Sequence, residues 1–180
     1  MTTPDYADLS TLHNPSFRGK PPSSWAAQIR DDLEFLVRPP GCVMETTADQ
    51  SGASTDSTWY NVSWNAAVDL RDTDGFHTGT GDTITVPTGL GGWYHICGHL
   101  VWDADASGTR MVRYSVNGAG DYRLAVVSPA DGTVSTRVPF ATDVLLSAGD
   151  VVRISGWQNS GGTLMIQTGC RVSMRLVAVS

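Results

Sequence analysis

Two groups of side chains in this sequence could in principle bind a metal ion. His95 and His99 are four residues apart in a run that alternates like a β-strand, so both should lie on one face of it. Asp72 and Asp74 lie in an acidic stretch that ends at Gly75 and has some of the oxygen ligands of a calcium loop. The histidines lack the His-x-His spacing of a cupin-like site, and the acidic stretch lacks the later glutamate of an EF-hand. We therefore expect His95 and His99 to be core or interface histidines. We expect surface turn chemistry in the acidic stretch, with Asp72 and Asp74 as weak metal candidates and no cofactor.

Catalytic signatures are missing from the sequence. There is no nucleophile elbow, P-loop or dinucleotide-binding fingerprint, and no pair of carboxylates is marked as convergent. The cysteines Cys42, Cys97 and Cys170 are odd in number and widely spaced, and no C-x-x-C pair is present to hold zinc. Buried, reduced thiols are expected, although the sequence leaves their redox state open. These features predict a protein that is not an enzyme.

Tryptophan is the residue type best suited to binding a ligand. Five of the six tryptophans follow residue 58, and an exposed indole ring can bind a sugar by stacking on the ring face. Trp59, Trp64 and Trp157 are the candidate surface or sugar-binding aromatics. For most of the tryptophans we favour a place in the core or in a subunit interface, because aromatic side chains dominate the energetics of both.

The charge balance excludes one large class of partners. The net charge is −6 and the isoelectric point is near 4.9, whereas nucleic-acid-binding surfaces are basic. No apolar run approaches the roughly 20 residues that a membrane-spanning helix needs. The first 20 residues are polar and lack the apolar region of a signal peptide. We therefore expect assembly in a cytoplasm, with no nucleic acid partner and no membrane insertion.

The elements that must position these residues change in character at Pro39-Pro40. Residues 1–22 contain four prolines and predict an extended N-terminal arm. Residues 23–40 predict one short helix and a Pro-Pro linker, and a helix of about 13 residues is marginal alone. Its apolar face therefore needs a partner, which is either the β domain of the same chain or another protein. The candidate docking residues on and beside this face are Trp25, Ile29, Leu33, Phe35 and Leu36.

Residues 41–180 predict a β domain. Short apolar runs alternate with turn residues, and Asn117-Gly118 is a tight-turn signal between two of the runs. The nine or ten strands that this pattern gives are typical of a sandwich or jelly roll. The predicted strands are Trp59–Trp64, Asp82–Pro87, Tyr94–Trp102, Met111–Val116, Tyr122–Val127, Thr133–Val138, Val144–Leu146, Val151–Trp157 and Thr163–Val179, the last with a bulge or bend at Gly169.

Three fragments of this domain resemble one known family. Thr83–Pro87 followed by Gly92–Ile96, Arg113–Gly118 and Leu145–Val152 resemble, in order and spacing, strand steps of complement 1q globular heads and their tumour-necrosis-factor-like relatives. The resemblance covers about residues 42–180. It implies an all-β, ten-strand jelly-roll sandwich that forms compact homotrimers.

The front of the chain carries a second resemblance. Trp25, Ile29–Leu36 and Pro39-Pro40 are similar to the opening of small virion proteins of tailed bacteriophages, many of which continue into a complement-1q-like head. The resemblance implies a virion structural protein whose arm and helix dock onto other virion proteins. The projecting head would contact a host-surface glycan or protein as part of a minor tail protein, or would decorate the capsid. A free carbohydrate-binding module is the further alternative, and the sequence leaves the placement and the copy number open.

Overall fold

The computed structural model describes residues 27, 29–31, 33, 35, 37–50, 57–64, 67–72, 74–79, 81–124, 128–129 and 132–179. The chain divides into two units, Met1–Arg38 and Pro39–Ser180. In the first unit, the described residues from 27 to 37 are helical, as the apolar spacing predicts. The predicted arm of residues 1–22 lies outside the described residues. No helix in the described ranges is both long and apolar enough to cross a membrane.

The second unit is built from antiparallel strands. Eleven strands lie in its described residues, and three of them are only two residues long. The strands are β1 (Gly41–Thr46), β2 (Tyr60–Asn61), β3 (Ala67–Asp72), β4 (Ile84–Thr85), β5 (Gly92–Trp102), β6 (Thr109–Val116), β7 (Ala119–Arg123), β8 (Ser128–Pro129), β9 (Thr136–Leu146), β10 (Val151–Gln158) and β11 (Arg171–Val179). The all-β class is confirmed. The count of ten strands stays a prediction, because segments such as 125–127 lie outside the described residues.

The strands form two sheets. The five-stranded sheet has the order β3-β1-β11-β5-β9, and the six-stranded sheet has the order β2-β10-β6-β7, with β4 paired to β10 and β8 paired to β6. Strands that follow each other in the chain, such as β5 and β6 or β9 and β10, lie in different sheets. Connections that pass from sheet to sheet in this way are typical of a jelly roll.

The core lies between the inward faces of the two sheets. On β5, Tyr94, Ile96, Leu100 and Trp102 are fully buried, and these residues lie at even spacings along the strand. Gly156 on β10 gives the Trp102 ring its space, since a Cβ at this glycine would lie 2.6 Å from Trp102 Cζ2. One face of each central strand therefore packs in the core, and the other face points away from the core.

The Asn117-Gly118 turn forms as predicted. Both residues have positive φ, 54° and 71°, which is the backbone that a two-residue hairpin between β6 and β7 requires. The Asn117 side chain also connects the hairpin to the start of β10, which neighbours β6 in the sheet. Its Nδ2 donates to Asp150 Oδ1 at 2.8 Å, and its Oδ1 accepts from the Val151 N–H at 2.9 Å. The side chain thereby joins a local turn to the six-stranded sheet.

Several predicted strand bounds were wrong. The separate strands at Thr133–Val138 and Val144–Leu146 are one strand, β9, which continues through Pro139. Proline is tolerated there because β9 is an edge strand that pairs only with β5. The predicted last strand begins only at Arg171, because Gly169, with φ of 80°, lies in a turn before it.

Two strands were missed at the start of the domain. β1 buries Cys42, Met44 and Thr46 on alternate positions, but the run is short and includes a polar residue. β3 ends in the acidic stretch that we interpreted as a surface turn. Its pairing with β1 decides its conformation, and this pairing is not encoded in the local sequence.

Candidate functional site

Of the two weak metal candidates, Asp72 stabilises a loop of the fold and Asp74 is an exposed residue of that loop. Asp72 ends β3, and its Oδ1 accepts the N–H groups of Gly75 and Phe76 while its Oδ2 accepts that of His77, at 2.7 to 2.9 Å. These bonds hold the loop in which Gly75 has a φ of 78°. Among the described residues, no three His, Cys, Asp or Glu side chains converge as they would to hold a metal ion. The loop after Asp72 fits the expected Asp-Gly turn chemistry, whereas the part of the stretch up to Asp72 belongs to β3.

The two histidines of β5 have separate partners. His95 and His99 point away from the core on the same face of the strand, with buried Ile96 and Leu100 on the other face. His95 Nδ1 lies 2.8 Å from Asp143 Oδ1, and His99 Nε2 lies 2.9 Å from the carbonyl oxygen of Gly169. His95 therefore contacts a residue of β9, and His99 contacts the turn before β11.

The helical segment exposes apolar side chains. Ile29 and Leu33 are each 55% exposed, and Val37 is 84% exposed. These residues are spaced by four, so they form a stripe on one helix face, which we call the helix stripe. Phe35 is half-buried. Trp25 and Leu36, the other two predicted docking residues, lie outside the described residues.

One of the three candidate surface tryptophans is a core residue. Trp64 is fully buried and its backbone N–H donates to the carbonyl of Gly81 at 2.8 Å. The prediction of Trp64 as a surface aromatic was wrong, because the inward side of this segment also holds Val62. An aromatic residue in a short alternating run fits either side of a sheet, so the sequence alone did not distinguish Trp64 from Trp59.

Trp59 and Trp157 lie together on the six-stranded sheet. Both are half-buried, with ring centroids 6.4 Å apart and ring planes tilted by 42°. The Arg113 guanidinium lies over the Trp59 ring, 4.3 Å from its centroid, in a cation–π contact. The structure thus brings two of the predicted aromatics into one cluster. We call the outward face around this cluster the tryptophan face.

Polar side chains continue the tryptophan face along the sheet. Asp82 Oδ2 accepts from Asn61 Nδ2 at 2.8 Å and from Arg153 Nε at 3.1 Å. Asn61 Oδ1 in turn accepts from the Ser155 hydroxyl at 2.7 Å. Strand pairing places Asn61 opposite Ser155, two residues along from Trp59 and Trp157 respectively. Sequence reasoning missed these residues, because Asp82 and Asn61 are 21 positions apart and meet only through the pairing with β10.

The five-stranded sheet has an exposed apolar cluster that sequence reasoning also missed. Trp93 and Leu145 face each other in the pairing of β5 with β9, and they are 47% and 53% exposed. Ala178 on β11 pairs with Trp93 and is also exposed. We call Trp93, Leu145 and Ala178 the Trp93 patch. The alternation of Gly92–Trp102 was a signal, because it puts Trp93 opposite in direction to Tyr94 and Ile96.

Three ionisable side chains of the β domain, those of Cys170, Tyr94 and Arg110, are fully buried. Burial raises the pKa of the Cys170 thiol to about 11 and that of the Tyr94 phenol to about 12. Both groups are therefore neutral at physiological pH. Arg110 is fully buried and donates to the Ser107 carbonyl at 2.9 Å, and burial lowers its pKa while nearby Asp105 opposes that shift. Cys42 is buried as well, whereas Cys97 is half-buried on the outward face of β5.

Comparison with known proteins identifies the fold. No family model matches the chain, and no curated protein matches it in sequence. The globular domain of zebrafish complement 1qA matches with a TM-score of 0.54 at 15% identity, covering 78% of this chain and 99% of that chain. The PRD1 vertex protein P5 matches with a TM-score of 0.53 at 15% identity, covering 77% and 73% of the two chains. Eiger TNF from S. frugiperda matches with a TM-score of 0.52 at 13% identity, covering 79% and 96%. At these identities the similarity concerns architecture, and the chain carries a jelly roll of the complement 1q and TNF type.

Proposed function

We propose that this chain is a structural, non-catalytic component of a tailed-phage virion. Its N-terminal arm and helix dock onto other virion proteins, and its β domain forms a trimeric head that projects from the particle. The protein is assembled in the host cytoplasm and acts as a minor tail protein that contacts the host surface. The similarity of the β domain to a phage vertex protein supports a virion role.

The helix stripe is the observation that carries the docking proposal. Ile29 and Leu33 each leave about half of their side chain exposed in a unit separate from the β domain. Full burial of such a side chain contributes roughly 1.5–3 kcal/mol, so a receiving groove would gain stability from each residue of the stripe. A short amphipathic helix laid into an apolar groove is a common recognition mode.

The Trp93 patch supports the homotrimer. It lies on the five-stranded sheet of a head whose fold is shared with complement 1q and TNF-like domains. Exposed aromatic and aliphatic clusters of this kind mark protein interaction surfaces. We place the subunit contact there, with β5, β9 and β11 of each subunit contributing. The helix is too short to serve as a trimeric coiled coil, so the head must carry the trimer contact.

Capsid decoration is the second candidate. The vertex position named for the PRD1 protein favours a place on the head of the particle. The two placements differ in copy number, because a minor tail protein is present in few copies and a decoration protein in hundreds. Quantified gel bands from purified particles distinguish them.

A free carbohydrate-binding module is the third candidate, favoured by the Trp59–Trp157 cluster.

Alanine substitution of the docking residues tests the proposal. We expect Trp25→Ala combined with Leu33→Ala to leave a folded trimer that no longer co-purifies with virions. Arg30→Ala is the matched control, because Arg30 lies on the same helix and, among the described residues, its side chain pairs with Asp31 in an exposed ion pair. Such pairs contribute little, about 0–1 kcal/mol. Retention of the double variant on particles at the level of Arg30→Ala would refute docking by the helix.

A further inference from the structure

The tryptophan face is ordered by strand register into three rows. Trp157 pairs with Met111, Ser155 pairs with both Asn61 and Arg113, and Arg153 pairs with Ser115. The residues between them on β10, Ile154 and Gly156, point into the core. An aromatic row, an amide row and a guanidinium row therefore follow each other on the outward side of the sheet, and the Ser155 hydroxyl of the middle row is buried and donates to Asn61.

The aromatic row is held in place before any ligand arrives. Arg113 packs on one face of the Trp59 ring at 4.3 Å, and Trp157 lies beside it at a tilt of 42°. The two indoles therefore form an open wedge with partly exposed rings. A pyranose ring presents an apolar C–H face to such a surface, and aromatic side chains supply contact area with little loss of conformational entropy.

The polar rows leave hydrogen-bonding groups for a ligand. Asp82 Oδ2, Asn61 Oδ1 and Arg153 Nε are engaged with one another or with Ser155, which fixes the orientation of each planar group. Among the described residues, Asp82 Oδ1 and the two terminal nitrogens of Arg153 make no hydrogen bond. An acceptor and donors fixed side by side match the neighbouring hydroxyl groups of a sugar.

The spacing of the rows indicates the length of the ligand. Trp157 and Arg153 are four residues apart on one strand, which corresponds to about 13 Å. This distance exceeds one pyranose ring. Asp82 and Arg153 form an ion pair there, so this end of the face carries no net charge.

We propose that the tryptophan face binds two or more consecutive pyranose units of a neutral glycan. One unit stacks on the Trp59–Trp157 wedge, and the next forms hydrogen bonds with Asp82 and Arg153. The site lies wholly within Pro39–Ser180 and requires no particle, so its failure and the failure of virion docking are separate results.

Binding of defined saccharides to the full chain tests the site. The probes are neutral oligomers of N-acetylglucosamine, glucose and mannose with one to four units, and an array of neutral and acidic bacterial glycans. Titration calorimetry and tryptophan fluorescence report binding. We expect at least one neutral oligomer to bind, and to bind more tightly than its monosaccharide. Trp157→Ala should weaken binding by about tenfold or more, as expected for loss of a tryptophan anchor.

Matched variants separate recognition from folding. Trp157→Phe keeps a ring and should retain part of the affinity, whereas Asp82→Asn should weaken oligomers more than monosaccharides that occupy only the wedge. Val134→Ala, an exposed apolar residue in the segment before β9, is the control and should bind like the wild type. Circular dichroism checks each fold. The proposal is overturned if the wild type binds none of the saccharides or prefers acidic glycans. It is also overturned if both Trp157→Phe and Asp82→Asn bind with wild-type affinity.

Discussion

The Trp93 patch gives a quantitative prediction for the proposed trimer. Trp93 is 47% exposed, and an aromatic side chain buries about 150–250 Å² in total, so about 70–120 Å² remain for a neighbouring subunit. At about 25 cal/mol per Å² this area contributes about 2–3 kcal/mol. Leu145 is 53% exposed and adds about 1 kcal/mol. Trp93→Ala with Leu145→Ala should therefore cost about 3 kcal/mol per subunit, or about 9 kcal/mol per trimer.

This loss should be large enough to dissociate the trimer at ordinary concentrations. Since 1.4 kcal/mol is a factor of ten, 9 kcal/mol raises the trimer dissociation constant by about six decades, and the concentration of half-dissociation by about a thousandfold. Sedimentation equilibrium of the wild type, the double variant and Val134→Ala measures this shift. Cys97 gives an independent readout, because it lies on the same sheet face opposite Ala141 and Ser173. Its thiol should react slowly with a disulfide reagent in the trimer and rapidly in the double variant.

Two results would refute this reasoning. A wild type that stays monomeric at high concentration removes the trimer itself. A double variant that dissociates at the same concentration as Val134→Ala shows that the subunits meet elsewhere, provided that circular dichroism finds both variants folded. Equal Cys97 reactivity in the wild type and the double variant would point the same way.

Two further predictions concern the core. Gly156→Ala should lower the free energy of unfolding by about 1–3 kcal/mol, because the added Cβ would lie 2.6 Å from buried Trp102. Gly162→Ala is the control and should be neutral, because a Cβ at Gly162 has open space. Equal melting temperatures of the two variants in calorimetry would contradict this packing. Stability should also fall as pH rises from about 9 to about 12, because folded Cys170 and Tyr94 keep protons that the unfolded chain loses. Each pKa shift of about two units corresponds to about 3 kcal/mol. Denaturant titrations should show that the free energy of unfolding declines less steeply between pH 9 and 11 in Cys170→Ala than in the wild type. An equal decline in both proteins would contradict the Cys170 contribution.

Features set by a few neighbouring residues were predicted well. Asn117-Gly118 needs no distant partner to adopt positive φ, so its dipeptide was sufficient to identify the turn. The spacing of Ile29 and Leu33 likewise gave the helix and its apolar stripe. The identity of the surface that receives this stripe stays a prediction.

Features set by strand pairing were not available in the same way. The predicted break between Thr133–Val138 and Val144–Leu146 was wrong, and the position of β9 at a sheet edge explains why the strand continues through Pro139. The polar rows of the tryptophan face were missed for a related reason. The residues Asn61, Asp82 and Arg153 come from distant parts of the chain. Arg153 lies on β10, Asn61 lies on β2, which pairs with β10, and Asp82 contacts both side chains.

By itself the sequence determined an all-β domain after a Pro-Pro break, a helix with an apolar stripe and the order of the family-like fragments, because each depends on local periodicity and turn chemistry. Only the tertiary structure decided which tryptophans face outward. The sequence does not distinguish Trp64, which is buried, from Trp59, which lies on the outward face. Alternation along a strand indicates that the strand has two faces, but the packing of one sheet on the other decides which face is buried.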